Sequence, residues 1–286
     1  PSNRAASDVY KRQLLSLIIV FFERRSPQAV WTWLLLFSFI SIVGFILYLI
    51  IGQDYHKNKM FKAKEIEGEL KYAVRRQEET IYHRQLKMTS PALNRFRDLV
   101  LYNLEAGQAV LTDNNDIRIY TDGKEKFHAL IEEMKRAKKY IHVQYYIIRN
   151  DEVWQDIEKV LIEKAHEGVE VRVLFDSMGC RTMHKRDWDR LKCEGIRVAE
   201  FFPAILGQLQ MRVNYRNHRK IVVIDGKVGF VGGFNVGREY IGKDEKFGYW
   251  RDTHLCIEGA AVTSLAVRFV LDWFYACLLY TSPSPR

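Results

Sequence analysis

Residues 31–52 read WTWLLLFSFISIVGFILYLIIG and carry no charged side chain. As a helix, a run of that length reaches ~33 Å at ~1.5 Å per residue, enough to cross a hydrocarbon core of ~30 Å. Trp31 and Trp33 at one end and Tyr48 near the other suit the two water interfaces. The run predicts a membrane-spanning helix over 31–52. Residues 14–22 are also apolar, but nine residues reach only ~14 Å; they are expected to be part of a truncated first span, so that 14–52 forms a helical hairpin. Arg24 and Arg25 stand against Glu23 in the loop between the two, whereas Lys57, Lys59, Lys62 and Lys64 follow the second. Positive charge concentrates on the cytoplasmic side. The chain is therefore expected in the cell membrane, multi-pass, with everything after Gly52 in the cytoplasm.

The ends need separate treatment. Back-translation of AASDVYKRQ (5–13) and CLLYTSPSPR (277–286) gives two nucleotide strings containing reverse complements of one another, as a transposon-type sequencing adapter read through as protein would. Residues 1–13 and 277–286 are expected to be scars, with 14–276 as the native segment. Without Arg4, Lys11, Arg12, Arg286 and Asp8 the formal charge falls from +9 to +6. That suits an anionic partner, phospholipid headgroups or nucleic acid, without choosing between them. Cys180, Cys193 and Cys256 are scattered with no C-x-x-C pair, which supports neither a disulfide framework nor a zinc site.

Residues 53–108 read as a charged juxtamembrane connector with helical spacing. The pattern changes from about 109. Strands are expected at 117–120, 140–148, 169–175 and 196–201. Between them helices are expected from the cap at Asp122 through 139, over 153–166 ending at Gly168, and over 185–193 ending at Gly195. Strands and helices alternating at these lengths predict a layered α/β domain with a mostly parallel sheet over 109–276. No Walker loop and no strand-linked G-x-G-x-x-G is present, so nucleotide binding lacks support.

The stretch NHRKIVVIDGKVGFVGGFN (217–235) carries the chemistry. Its residues 219–224 read as a strand, in which successive side chains face opposite ways. His218 and Lys220 then share one face and Arg219 points away. Asp225 and Gly226 form a turn signal, and 228–231 return as a second strand. Gly232 and Gly233 permit close backbone approach, and Asn235 offers an amide to an anion. A phosphodiester needs a nucleophile for phosphorus and positive charge for its oxygens. Imidazole and a neighbouring ammonium supply both. A nearby carboxylate can orient the histidine, although Asp225 could equally serve only the turn.

HRKIVVID matches H-x-K-x-x-x-x-D, and VGGFN supplies the G-G-x-N that follows it in the phospholipase D superfamily. The paired spans with ERRSP between them, YYIIRND (145–151), VRVLFDSMG (171–179) and YWRDTH (249–254) resemble bacterial cardiolipin synthases over nearly all of 14–276. Ser41 stands where many relatives have proline. The resemblance implies a phospholipase D-like domain as the first of two similar halves, each giving one H-K-D set to a single site. One set occurs here, so the chain is expected to be a fragment lacking the second half. One histidine would attack phosphorus and its counterpart would protonate the leaving alkoxide. His218 takes the attacking part by the family pattern, though one set alone does not decide between the two. Lys220 and Asn235 would hold phosphoryl oxygens beside Gly232 and Gly233, and Asp225 would be the set's carboxylate. The implied reaction joins two phosphatidylglycerol molecules into cardiolipin and glycerol through a phosphohistidine. No cofactor or metal is expected. Anionic phospholipid and the membrane are the expected partners, and nucleic acid is not expected among them. A membrane-anchored nuclease, a phosphatidylserine synthase or a phospholipase sharing the motif are the alternatives.

Overall fold

The computed structural model describes residues 95–107, 109–201 and 216–281, together with Trp31, Leu34, Leu35, Arg76 and Gln77. The chain divides into two compact units, Pro1–Lys59 with Gln208–Val213 and Met60–Gly207 with Asn214–Arg286. The hairpin expected over 14–52 lies almost wholly outside the described residues, as does most of the connector. Among the described residues no helix is long and apolar enough to cross a membrane.

The second unit contains, in order, α1 (Arg97–Gly107), β1 (Asp116–Tyr120), α2 (Gly123–Lys135), β2 (Tyr140–Tyr145), α3 (Glu152–His166), β3 (Glu170–Asp176), α4 (Lys185–Cys193) and β4 (Arg197–Phe201). Then follow β5 (Ile221–Ile224), β6 (Val228–Gly232), a 3-10 turn (Arg238–Ile241), β7 (His254–Glu258) and α5 (Ala261–Thr281). The helix starts follow from their caps. Asp122 accepts the N–H groups of Lys124 and Glu125, and Asp151 those of Val153 and Trp154, which satisfies donors a first turn otherwise leaves open. Gly168 and Gly195, both at positive φ, follow the ends of α3 and α4.

The strands form one sheet in the order β1-β7-β6-β5-β2-β3-β4. Only β2–β3 and β3–β4 are parallel; β1–β7, β7–β6, β6–β5 and β5–β2 are antiparallel. The sheet is therefore mixed, which corrects the mostly parallel expectation. For the parallel β2–β3–β4 run and the antiparallel β5–β6 hairpin the physical reason is the length of the connections. A parallel pair needs a crossover of a dozen or more residues, which α3 and α4 provide; the two-residue Asp225–Gly226 turn can only reverse the chain. β7 was not foreseen at all.

Period-two alternation divides the core between the two faces. Ile141, Val143, Tyr145, Val173, Phe175, Val222 and Phe230 pack with Leu130, Trp154, Leu161 and Trp188 from α2, α3 and α4. On the other face Leu174, Ala199 and Phe201 meet Phe269 and Trp273 of α5, and Ile221, Val223 and Ile257 meet Val262. Helices thus cover both faces. Leu130, Ile157 and Phe269 are wholly buried, each contributing about 1.5–3 kcal/mol relative to exposure.

Two element ends bear on the site. α2 stops at Lys135 rather than reaching 139, because Lys138, Lys139 and Tyr140 turn their backbone N–H groups to the Asp225 carboxylate. β2 stops at Tyr145 rather than 148. Beyond it Ile148 makes an isolated parallel bridge to Val236, and Tyr146 leaves the ladder.

Candidate functional site

The segment entering β5 is held by buried carboxylates before it presents its histidine. The Asn217 backbone N–H donates to Asp176 Oδ2 at 3.1 Å, and its side-chain amide donates to Asp272 Oδ2 of α5 at 3.1 Å. The same oxygen accepts from Gln144 Nε2 at 2.7 Å and from Arg219 Nη1 at 3.0 Å. Asn217 Oδ1 in turn accepts the N–H of Arg219 at 3.2 Å. Asp176 and Asp272 are both buried, so these bonds hold them in place of water. With Asn217 fixed from two sides and Arg219 drawn to α5, the residue between them is directed outward.

His218 is exposed and stacks on the ring of Tyr146, centroids 3.9 Å apart and planes 21° from parallel. Lys220 lies over the same ring, Nζ 5.5 Å from its centroid, and donates to the His218 carbonyl at 2.6 Å. Burial pulls the Lys220 ammonium below the usual lysine range, and the charge of Asp252 opposes that pull. Imidazole and ammonium thus gather on one aromatic bed, with Arg219 turned away.

Gly232 and Gly233 make room for the chain beside them. A side chain at Gly233 would collide with the Asp252 carboxylate, and one at Gly232 would meet His254 and the Thr253 carbonyl. The glycine pair brings Asp252 in to the sheet close enough to support the charge on Lys220. Asn235 is buried and contributes through the Tyr146 loop. Its Oδ1 accepts the Ile147 N–H at 3.1 Å and its Nδ2 donates to Tyr240 Oη at 3.0 Å. The loop is pinned again where Ile148 N–H meets Cys180 Sγ at 3.2 Å.

Asp225 is not brought to this cluster. Six residues of nearly extended chain lie between it and His218, and the seven steps span ~23 Å at ~3.3 Å per residue. It sits at φ +52°, and Gly226 at φ +68° completes the turn. Its carboxylate accepts the N–H groups of Lys138 at 2.8 Å, Lys139 at 2.7 Å and Tyr140 at 2.9 Å. Burial pushes its carboxyl up, but these three bonds together hold it below the usual range. The Asp225 carboxylate thus clamps the turn, the other choice the sequence left open.

A buried row lies behind Lys220. Lys126 donates to Tyr145 Oη at 2.8 Å and burial holds its amine far below the usual range. His254, paired across the sheet with Gly232, is wholly buried and held down to about 2 by burial and then by the charges of Lys126 and Lys220. Among the described residues no group of three or more His, Cys, Asp or Glu is placed to hold a metal ion.

Sequence reasoning missed Tyr146, Asp252, Asp176 and Asp272. Tyr146, Asp176 and Asp252 lie within YYIIRND, VRVLFDSMG and YWRDTH, which carry the resemblance only as whole strings. For Asp272, inside an apolar helix, the signal was its rarity as a carboxylate in that setting.

Residues 130–254, which hold this cluster, match the family described as "Cardiolipin synthase, PLD-like domain". This chain belongs to the phospholipase D superfamily. A second match, to "Phospholipase D-nuclease N-terminal", covers residues 13–53. Cardiolipin synthase 2 of Staphylococcus epidermidis is 46% identical over 261 residues, which are 91% of this chain and 54% of that protein. Cardiolipin synthase of Staphylococcus aureus is also 46% identical over 261 residues, 91% of this chain and 53% of that protein. The chain thus spans about half the length of these superfamily relatives. Among solved structures, NucT from Helicobacter pylori aligns at a TM-score of 0.44 and 14% identity, over 57% of this chain and 98% of that one.

Proposed function

We propose that this chain supplies one half of a phosphatidyl-transfer site of the cardiolipin synthase kind. The observation that carries the reading is the pairing of an exposed imidazole with an ammonium on the Tyr146 ring, in a chain 46% identical to cardiolipin synthases over 91% of its length. His218 attacks the phosphorus of a phosphatidylglycerol. The phosphorus–oxygen bond to the headgroup glycerol breaks, that glycerol leaves with a proton from a second histidine, and the phosphatidyl group stays on His218. A hydroxyl of a second phosphatidylglycerol then attacks the phosphohistidine, gives its proton to the second histidine, and leaves as cardiolipin. Lys220 neutralises the phosphoryl oxygens in both steps, and Asp252 keeps its ammonium charged. Asn235 acts by holding the Tyr146 loop on which His218 rests.

The second histidine comes from a further half of the same kind, as the length of the relatives suggests. Residues 31–52 anchor the site at the cytoplasmic face of the membrane, where both lipid substrates are concentrated, and residues 109–276 form the first phospholipase D-like domain. The test uses a chain of the relatives' full length carrying these residues, with labelled phosphatidylglycerol as substrate. Cardiolipin and free glycerol should form together, and acid-labile label should accumulate on His218 when the acceptor lipid is withheld. Label on another residue, or release of phosphatidic acid alone, would refute transfer through His218.

A further inference from the structure

Apart from the histidine cluster, the described residues enclose a cavity of about 730 Å³ at the β4 edge of the sheet, beside α4. Its size falls within the ~300–1,000 Å³ usual for small-molecule sites. The floor is apolar, from Phe175, Trp188, Met183 and Ala199. Phe175 and Trp188 lie flush against each other, centroids 3.9 Å apart and planes 7° from parallel, so they offer ring edges rather than open faces. Such edges suit a chain of methylenes. Met183 adds a flexible side chain able to fit an irregular tail.

The rim is cationic. Arg181, Lys185 and Lys192 line it against one carboxylate, Glu200. Lys192 is paired with Asp189 at 3.0 Å, whereas neither Arg181 nor Lys185 has an ion-pair partner among the described residues, and both are exposed. Lys185 also opens α4, where a cation opposes the helix dipole and has no local structural reward. An apolar slot with two unpaired cations at its mouth complements a ligand with an apolar tail and an anionic head.

We propose that this cavity binds an anionic phospholipid, with one acyl chain along Phe175, Met183 and Ala199 and the headgroup phosphate between Arg181 and Lys185. The site is separate from His218 and does not depend on the transfer reaction. It is nonetheless near. Cys180 of the cavity wall donates through Sγ to the Tyr146 carbonyl at 3.5 Å, and Tyr146 carries His218. A lipid held here would order the loop on which the reactive imidazole rests.

The test is photo-crosslinking of the full chain in phosphatidylcholine nanodiscs, using a lysophosphatidylglycerol with a diazirine in its acyl chain and mapping adducts by mass spectrometry. Adducts should fall on residues 175–199, and unlabelled lysophosphatidylglycerol should compete them away. Lysophosphatidylcholine of the same chain length and inorganic phosphate should not. Arg181→Glu combined with Lys185→Glu, both at exposed positions, should reduce these adducts about fivefold. Ala199→Leu, which fills the slot, should reduce them with the head contacts intact. His218→Ala should leave them unchanged, which separates this proposal from the transfer mechanism. Adducts elsewhere, equal competition by lysophosphatidylcholine, or indifference to the rim reversal would each overturn it.

Discussion

The two ends of β5 make an instructive contrast. Both are built from polar residues of one short motif. At the entering end His218 is exposed, and Lys220 reaches the His218 carbonyl and the Tyr146 ring with the charge of Asp252 nearby. At the leaving end all the accepting capacity used by Asp225 goes to three backbone N–H groups of the α2–β2 connection. One end keeps its charge available for a ligand and the other spends it on the fold. A motif contiguous in sequence can thus hold two unrelated jobs, and a four-residue strand is long enough to keep them apart.

That contrast can be broken by mutation. The largest effect is expected at the entering end, in a full-length chain. His218→Ala should lower turnover by about 10³-fold or more, since it removes the imidazole proposed to attack phosphorus, while the melting temperature moves by less than ~2 °C. Loss of stability of the same order as the leaving-end variants would erase the distinction. Next comes Asp272→Ala. It leaves the buried amides of Gln144 and Asn217 without their acceptor, and chemical denaturation should show a loss of about 2–4 kcal/mol. Turnover should fall too, since the segment presenting His218 loses one of its two anchors.

Asp225→Ala should cost about 1–3 kcal/mol, with activity per folded molecule unchanged within about twofold. A turnover defect in protein shown to be folded would restore a chemical part to Asp225. The smallest effects concern pH. The folded carboxyl of Asp225 is held below its unfolded value, so its contribution is fully present above about pH 4 and is lost as pH falls through the lower folded value. Acid melts of wild type and Asp225→Asn should differ in slope only in that window. In the opposite range, Asp252→Asn removes the charge that raises Lys220, so the alkaline limb of the rate profile should move to lower pH. An unmoved limb would detach Asp252 from Lys220.

Much of this was legible in the residues, for reasons particular to each. The spacing of His218 and Lys220 in an alternating run was enough to anticipate them together, with Arg219 opposed. Asp-Gly at 225–226 announced a reversal, yet the sheet was expected to be mostly parallel. The deciding pair, β2 with β5, joins residues 141–144 to 221–224, and no local pattern records so distant a pairing. Tyr146 was hidden by company: after five buried strand residues and before two isoleucines, an aromatic reads as core. Asp225 misled because a carboxylate near a histidine in sequence invites a chemical partnership that only the backbone trace can refuse. Gly232 and Gly233 read as points of close approach, and Asp252, Thr253 and His254 come close to them.

One carboxylate of α5, on Asp272, grips residues on either side of His218 and reaches across to β2. The helix therefore works as a tiller. A shift of α5 along its axis would be passed through these hydrogen bonds to Asn217 and Arg219, and so to the segment that presents the imidazole.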